Sequence, residues 1–173
     1  MSRRELAKLS VPNAAAMHLL GLGLAKEFRA GDLVVLVGPL GAGKTTLSRG
    51  IGEGLNVVGT VSSPTFVIAR THKRTDGGPE LVHVDAYRLG SPEELDDLDI
   101  DFANSITLVE WGRGMTDGIA ESWLDVEIER DQTGASEDRQ VQLIGHGVRW
   151  QNVDFGDLAR TIIDATDAAA VAE

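Results

Sequence analysis

Two hydrophobic periods alternate along this chain. Across residues 13–28, NAAAMHLLGLGLAKEF, the positions Met17, Leu20, Gly21, Leu24 and Phe28 recur at helical spacing, and Asn13 stands where an N-cap belongs. Gly21 and Gly23 each cost a helix about 1 kcal/mol relative to alanine, a penalty that close packing on a sheet would explain. Residues 32–38, DLVVLVG, have no polar face at all, as expected of a central strand buried on both sides. A helix is expected from about Lys44 to Leu55. Strand-like runs follow at 64–71 and 80–87, joined by the turn-rich KRTDGGP, and again at 105–111. SPEELDDLDIDF, 91–102, reads as an acidic helix with Ser91 as its cap and Pro92 first inside. In WLDVEIE, 123–129, Leu124, Val126 and Ile128 alternate with acids, which predicts a half-exposed antiparallel strand; RQVQLIG, 139–145, repeats the pattern. Phe155, Leu158, Ala159, Ile162 and Ile163 form one face of a closing helix that begins at Asp154, and residues 166–173 are expected to fray.

The order helix, strand, helix, several strands, helix predicts a single α/β domain over residues 1–173. It is expected to have three layers and a mixed sheet, with a parallel centre and antiparallel edge strands, in the manner of P-loop NTPases. The junction of the buried strand with its following helix carries the chemistry. There the chain reads GPLGAGKTTLSRG, and Gly38, Gly43, Lys44 and Thr45 satisfy the P-loop spacing. Gly38, Gly41 and Gly43 let backbone N–H groups turn inward on an anion, and the helix N-terminus adds positive partial charge beneath it. Lys44 supplies a cation to the β and γ phosphates, and Thr45 offers a hydroxyl to Mg²⁺. Magnesium also takes carboxylate oxygen, and two acids end apolar strands: Asp85 closes LVHVD and Glu110 closes ITLVE. Residue chemistry leaves open which one ligates the ion and which orients water.

No Asn is followed by Lys, so the stretch that selects guanine is missing, and DQTG at 131–134 falls in a late polar loop; the expected nucleotide is ATP. Composition narrows the partners. With 27 acidic and 16 basic residues the net charge is −11, the wrong balance for a protein that grips a polyanion by itself. The chain has no cysteine, which excludes disulfides and thiolate metal sites. No apolar segment follows MSRRELAKLS and no run of about 18 apolar residues occurs, so the expected location is the cytoplasm.

Four stretches in order, GPLGAGKTTLSRG, SSPTF (62–66), HVDAYRL (83–89) and LVEWG (108–112), resemble the TsaE family, formerly YjeE, from about residue 9 to 130. The resemblance implies a bacterial ATPase of tRNA threonylcarbamoyladenosine synthesis that binds and slowly hydrolyses ATP. It would work with TsaB-like and TsaD-like proteins, and those partners would hold the tRNA. It further implies that Gly41, Ala42, Gly43, Lys44, Thr45 and Thr46 wrap the phosphates and that Thr45 and Glu110 ligate Mg²⁺. Asp85 would organise the attacking water or the surroundings of the metal, and Thr65 would sense the γ-phosphate. Trp111 and Arg113 would lie at the nucleotide. The chain departs from the pattern at Pro39, where the family often has an acid, and in the late loop, where a basic pair is reduced to Arg139. The segment Pro12 to Ala14 offers no ionic side chain. Two other classes fit a P-loop: a small-molecule kinase, for which RTHKRTDGGP (70–79) is the only candidate lid, and a nucleotide-gated interaction module that does not hydrolyse.

Overall fold

The protein is described by a computed structural model over residues 2–64 and 67–172. Seven strands form one sheet: β1 (Arg3–Val11), β2 (Leu33–Val37), β3 (Ala69–His72), β4 (Leu81–Asp85), β5 (Ile106–Glu110), β6 (Trp123–Arg130) and β7 (Arg139–His146). Their order is β1-β7-β6-β2-β5-β4-β3. β2 lies parallel to both β5 and β6, and β4 lies parallel to β5. β3, β7 and β1 add antiparallel flanks. The expected parallel centre and antiparallel edges are both present.

Helices α1 (Ala14–Ala25), α2 (Lys44–Gly54) and α4 (Gly156–Val171) share the larger core, which gathers Leu20, Leu24, Val34, Leu36, Leu47, Ile51, Leu108 and Ile162. On the other sheet face the short α3 (Pro92–Asp96) and residues 115–123 cover Leu33, Val84 and Val109. β2 is buried along its length apart from Val37, as its unbroken apolar run required.

Several sequence expectations change. β1 was not anticipated, although Leu9 and Val11 are buried and the strand pairs with β7 from Arg3 to Val11. β6 does alternate buried and half-buried positions, yet it pairs parallel with β2 and antiparallel only with β7. Alternation reports a face open to solvent, not the direction of a neighbour. The acidic helix stops at Asp96 instead of 102, and Asp99 adopts φ 55°, a left-handed conformation that no helix interior allows. The strand expected over 64–71 is confined to Ala69–His72, since the Val67 and Ile68 amides both donate to the Pro64 carbonyl and Ile68 has φ 66°. Thr65 and Phe66 lie outside the described residues. The closing helix starts at Gly156 and continues to Val171, through the segment expected to fray.

The glycines of α1 pack differently from expectation. Gly21 faces α2, not the sheet: a Cβ there would stand 2.5 Å from the Leu47 carbonyl oxygen. Gly50 answers from α2, where a Cβ would collide with the His18 carbonyl and lie 3.1 Å from Gly21 Cα. The two backbones touch at this crossing, so both glycines are needed for helix approach. Gly23 faces Leu158 of α4. An ion pair anchors the far end of the sheet: Arg149 donates to both oxygens of buried Asp32, at 2.8 and 2.9 Å, just ahead of β2. Its neighbour Trp150 meets Phe28 edge-on, 6.5 Å between centroids.

Gly50→Ala, which in an isolated helix would stabilise by about 1 kcal/mol, is expected instead to destabilise by about 1–3 kcal/mol through overpacking, read by urea unfolding. His72 gives a second test. Its Nε2 is buried without a hydrogen bond, and burial, then the nearby His83 and Arg70, lowers its pKa. The unfolded chain therefore binds a proton below about pH 6.5 that the folded protein refuses, and stability falls on acidification through that range. His72→Asn is expected to shrink this acid-side loss in urea titrations between pH 7 and 5.

Candidate functional site

The loop between β2 and α2 bends because glycine occupies its two left-handed positions, Gly41 at φ 76° and Gly43 at φ 110°. Gly43 also occupies the N-cap of α2 with no side-chain capping bond, so the first-turn amides face a cleft and not a cap. That cleft has a volume of about 560 Å³, and residues 40–46, Ser63, Asp85, Tyr87, Glu110 and Trp111 line it. Of the residues singled out from sequence, Gly41, Ala42, Gly43, Lys44, Thr45, Thr46, Asp85, Glu110 and Trp111 therefore meet at one place. Gly38 sits beneath the loop, where a Cβ would stand 2.8 Å from the Ile128 carbonyl. Thr65 is outside the described residues, and its neighbour Ser63 reaches the cleft wall.

Lys44 is a buried residue of this site. It opens α2 and is 7% exposed, and its Nζ donates to the carbonyls of Gly38 (2.7 Å) and Pro39 (2.9 Å). The ammonium also stands 4.2 Å from the centre of the Trp111 ring. Burial lowers its pKa, against the opposing pull of Glu110 and Asp85. Trp111 carries φ 59°, an uncommon conformation for a bulky residue, and it meets Tyr87 edge-on at 5.4 Å.

The two strand-end carboxylates are placed by sheet register. Asp85 and Glu110 are direct partners across the parallel β4–β5 pair, and both are buried. Asp85 Oδ1 accepts from the Tyr87 amide at 3.0 Å, capping the turn Ala86–Arg88. Glu110 Oε1 has no hydrogen-bond partner among the described residues. Its nearest cation-forming neighbour is His83, fully buried, with Nε2 3.4 Å from Glu110 Oε1 but out of line for a hydrogen bond. His83 stands two positions before Asp85 on β4, hence on the same sheet face. In the sequence only its two-residue spacing from Asp85 within HVDAYRL marks His83 as a neighbour of the site.

Arg113 is not among the residues that line this cleft. It is largely exposed, with NH2 3.3 Å from Glu127 Oε1, and borders a second hollow behind Gly38 and Pro39. Arg139 donates Nε to the Ala42 carbonyl at 3.2 Å, so it meets the loop and does not project freely from the β6–β7 turn. A smaller cleft of about 240 Å³ on that side is bounded by Asn13, Met17, Gly41, Thr46, Glu137 and Arg139. No cluster of three or more His, Cys, Asp or Glu is placed to hold a metal among the described residues, so a cation here needs oxygen from another source. Glu110, with one bare oxygen, and Thr45 line the same cleft and offer hard oxygen of the kind magnesium takes, with the remaining positions left to oxygen from outside the protein. No helix is long and apolar enough to cross a membrane among the described residues.

This geometry has close relatives. A family profile described as "Threonylcarbamoyl adenosine biosynthesis protein TsaE" matches residues 11–141. A protein of Streptomyces coelicolor named tRNA threonylcarbamoyladenosine biosynthesis protein TsaE is 53% identical over 147 residues, 83% of this chain and 99% of that one. The proteins of the same name from Mycobacterium tuberculosis are 43% identical, over 70% of this chain and 77% of theirs. That of Bacillus subtilis is 33% identical, over 71% and 75%. Among solved structures, Bacillus subtilis YdiB superposes with a TM-score of 0.67 at 23% identity, covering 98% of this chain and 99% of its own, and supports the fold.

A buried carboxylate without a hydrogen-bond donor on one oxygen is held at a cost to stability. Glu110→Gln is expected to raise the thermal midpoint of the nucleotide-free protein by a few degrees, measured by differential scanning calorimetry; a lower midpoint would mean that attraction to Lys44 outweighs desolvation.

Proposed function

The chain belongs to the TsaE family and serves tRNA threonylcarbamoyladenosine biosynthesis, and we propose that it does so as an ATPase. In this reading ATP occupies the cleft over α2, and hydrolysis supports turnover of a complex with TsaB-like and TsaD-like proteins in the cytoplasm. The observation that carries it is the convergence of the glycine loop, Lys44 and the Asp85–Glu110 pair on one cleft.

Each side chain has a distinct task. The loop amides and the N-terminus of α2 bind phosphate oxygens, with Thr46 on the first turn. Lys44 leaves the Gly38 and Pro39 carbonyls to pair with the β and γ phosphates, a short swing from a position it already holds in the cleft. Thr45 and Glu110 hold Mg²⁺, which when bound neutralises charge on the phosphates. Asp85, tied by the Tyr87 amide, points its carboxylate where it can orient an attacking water. Trp111 walls the cleft beside Lys44, and Thr65 reports the γ-phosphate to the partner surface. Arg113, paired with Glu127, reaches nucleotide only by breaking that exposed pair. No arginine among the described residues lines the phosphate cleft, so hydrolysis by the isolated chain is slow. The acidic surface suits a protein whose partners carry the tRNA.

A small-molecule kinase is less well supported. The stretch considered as a lid is built into β3 and its turn, where Arg74 pairs with Asp76 at 2.6 Å and Val57 bridges to Arg74. Phosphate transfer from labelled ATP to a metabolite would revive it. The non-hydrolytic gate differs in a single respect, and Asp85→Asn separates it: persistent partner binding with complete tRNA modification would show that hydrolysis is dispensable.

The deciding experiment measures ATP hydrolysis by the chain alone and with a TsaB–TsaD-type pair and tRNA, scoring modification in the same tubes. Modification is expected to become multiple-turnover only with this chain. Lys44→Ala is expected to weaken ATP binding by at least about tenfold, in line with a lost charged contact, and to abolish that turnover. Equal cycling without the protein would overturn the proposal.

A further inference from the structure

At the ends of β6 and β7, Arg130 and Arg139 face each other as direct register partners. Like charges directly opposite on a sheet are destabilising, and neither arginine forms an ion pair with a carboxylate among the described residues. Both reach instead, across at least 90 positions of sequence, to the outside of the phosphate loop. Arg130 NH1 donates to the Leu40 carbonyl at 3.1 Å. Arg139 donates Nε to the Ala42 carbonyl at 3.2 Å and NH2 to that of Gly41 at 3.4 Å. Its remaining amino group holds the hairpin turn through the Glu137 carbonyl at 2.7 Å. A Cβ on Gly41 would stand 2.7 Å from Arg130 NH1, so the guanidinium rests against the loop backbone itself.

A trans peptide directs its C=O and its N–H to opposite sides. Holding the Leu40 carbonyl outward therefore turns the Gly41 N–H inward, and holding the Ala42 carbonyl outward does the same for Gly43. These are the two left-handed glycines, the residues whose backbones have most freedom to flip. From this geometry we infer that Arg130 and Arg139 are positioning residues: they fix the Leu40 and Ala42 carbonyls and so preorganise the Gly41 and Gly43 amides for phosphate, while the Ala42 amide between them closes a turn on the Pro39 carbonyl. Neither arginine lines the cleft that gathers Lys44, Asp85 and Glu110. The inference rests on the nucleotide-binding reading above and names the device that readies that site. The planar five-donor fork of arginine spans two carbonyls and a turn at once, which a lysine ammonium cannot.

The test uses the full chain with Arg130→Gln and Arg139→Gln, and Arg→Lys at each position as the milder pair. Amide ¹⁵N relaxation is recorded without nucleotide, and ATP binding with Mg²⁺ by calorimetry. Order parameters of Gly41 and Gly43 are expected to fall from about 0.85 toward 0.6, while those of Val126 and Leu143 in the hairpin stay rigid. The ATP dissociation constant is expected to rise about tenfold for each Gln variant, and the Lys variants fall between. Unchanged order at Gly41 and Gly43 overturns the inference, and with weakened binding it marks the arginines as direct ligands. Disorder spread equally through the hairpin overturns it too, since the arginines would then hold the fold and not the loop. Failure of the wild-type chain to bind ATP would sink the nucleotide reading alone, because the relaxation measurement needs no nucleotide.

Discussion

A loop that binds an anion through its own amides must turn those N–H groups toward one point, and every carbonyl it turns away then needs a donor of its own. Much of this molecule answers that requirement. The Gly38 and Pro39 carbonyls take the Lys44 ammonium, and those of Leu40, Gly41 and Ala42 take arginines from the distant β6–β7 hairpin. The loop is thus tied both to the helix it starts and to strands on the far side of β2. The parallel pairing of β6 with β2 matters for this reason, because it carries Arg130 to the height of the loop.

The other wall of the cleft obeys a different rule. Parallel strands present their carboxyl ends on one edge, and ligands gather there. β4 and β5 end on Asp85 and Glu110 in register, so two acids stand side by side facing the Lys44 end of α2. Burial keeps them short of solvent partners, and His83 lies beneath Glu110 without completing a hydrogen bond. Carboxylates buried in this way are a cost to stability that the fold carries at this edge. Trp111, in a left-handed backbone conformation just past β5, is a second such concession.

Rigid support comes from the helix side. α1 and α2 cross with backbone in contact at Gly21 and Gly50, which fixes the direction in which the α2 N-terminus points. The Arg149–Asp32 pair secures the opposite end of β2, the strand that delivers the loop.

The chain's local order was legible in its sequence because it is written in neighbouring residues. An unbroken apolar strand, a glycine turn and a helix start identify the phosphate loop without any distant contact, and Asp85 and Glu110 announced themselves as the last residues of apolar runs. Three features were not legible. The β1 strand is short of apolar residues in its first half and is held by pairing with β7. The direction of β6 left no mark in its alternation, since exposure of one face is indifferent to the neighbour's sense. The burial of Lys44 and the reach of Arg130 and Arg139 depend on which strands lie side by side. Sequence determined what each segment is and what chemistry it can hold, because propensity and periodicity act over a few residues. Only the tertiary structure decided which segments meet, because strand order and register are settled by pairing between positions as much as 143 residues apart, as between Arg3 and His146.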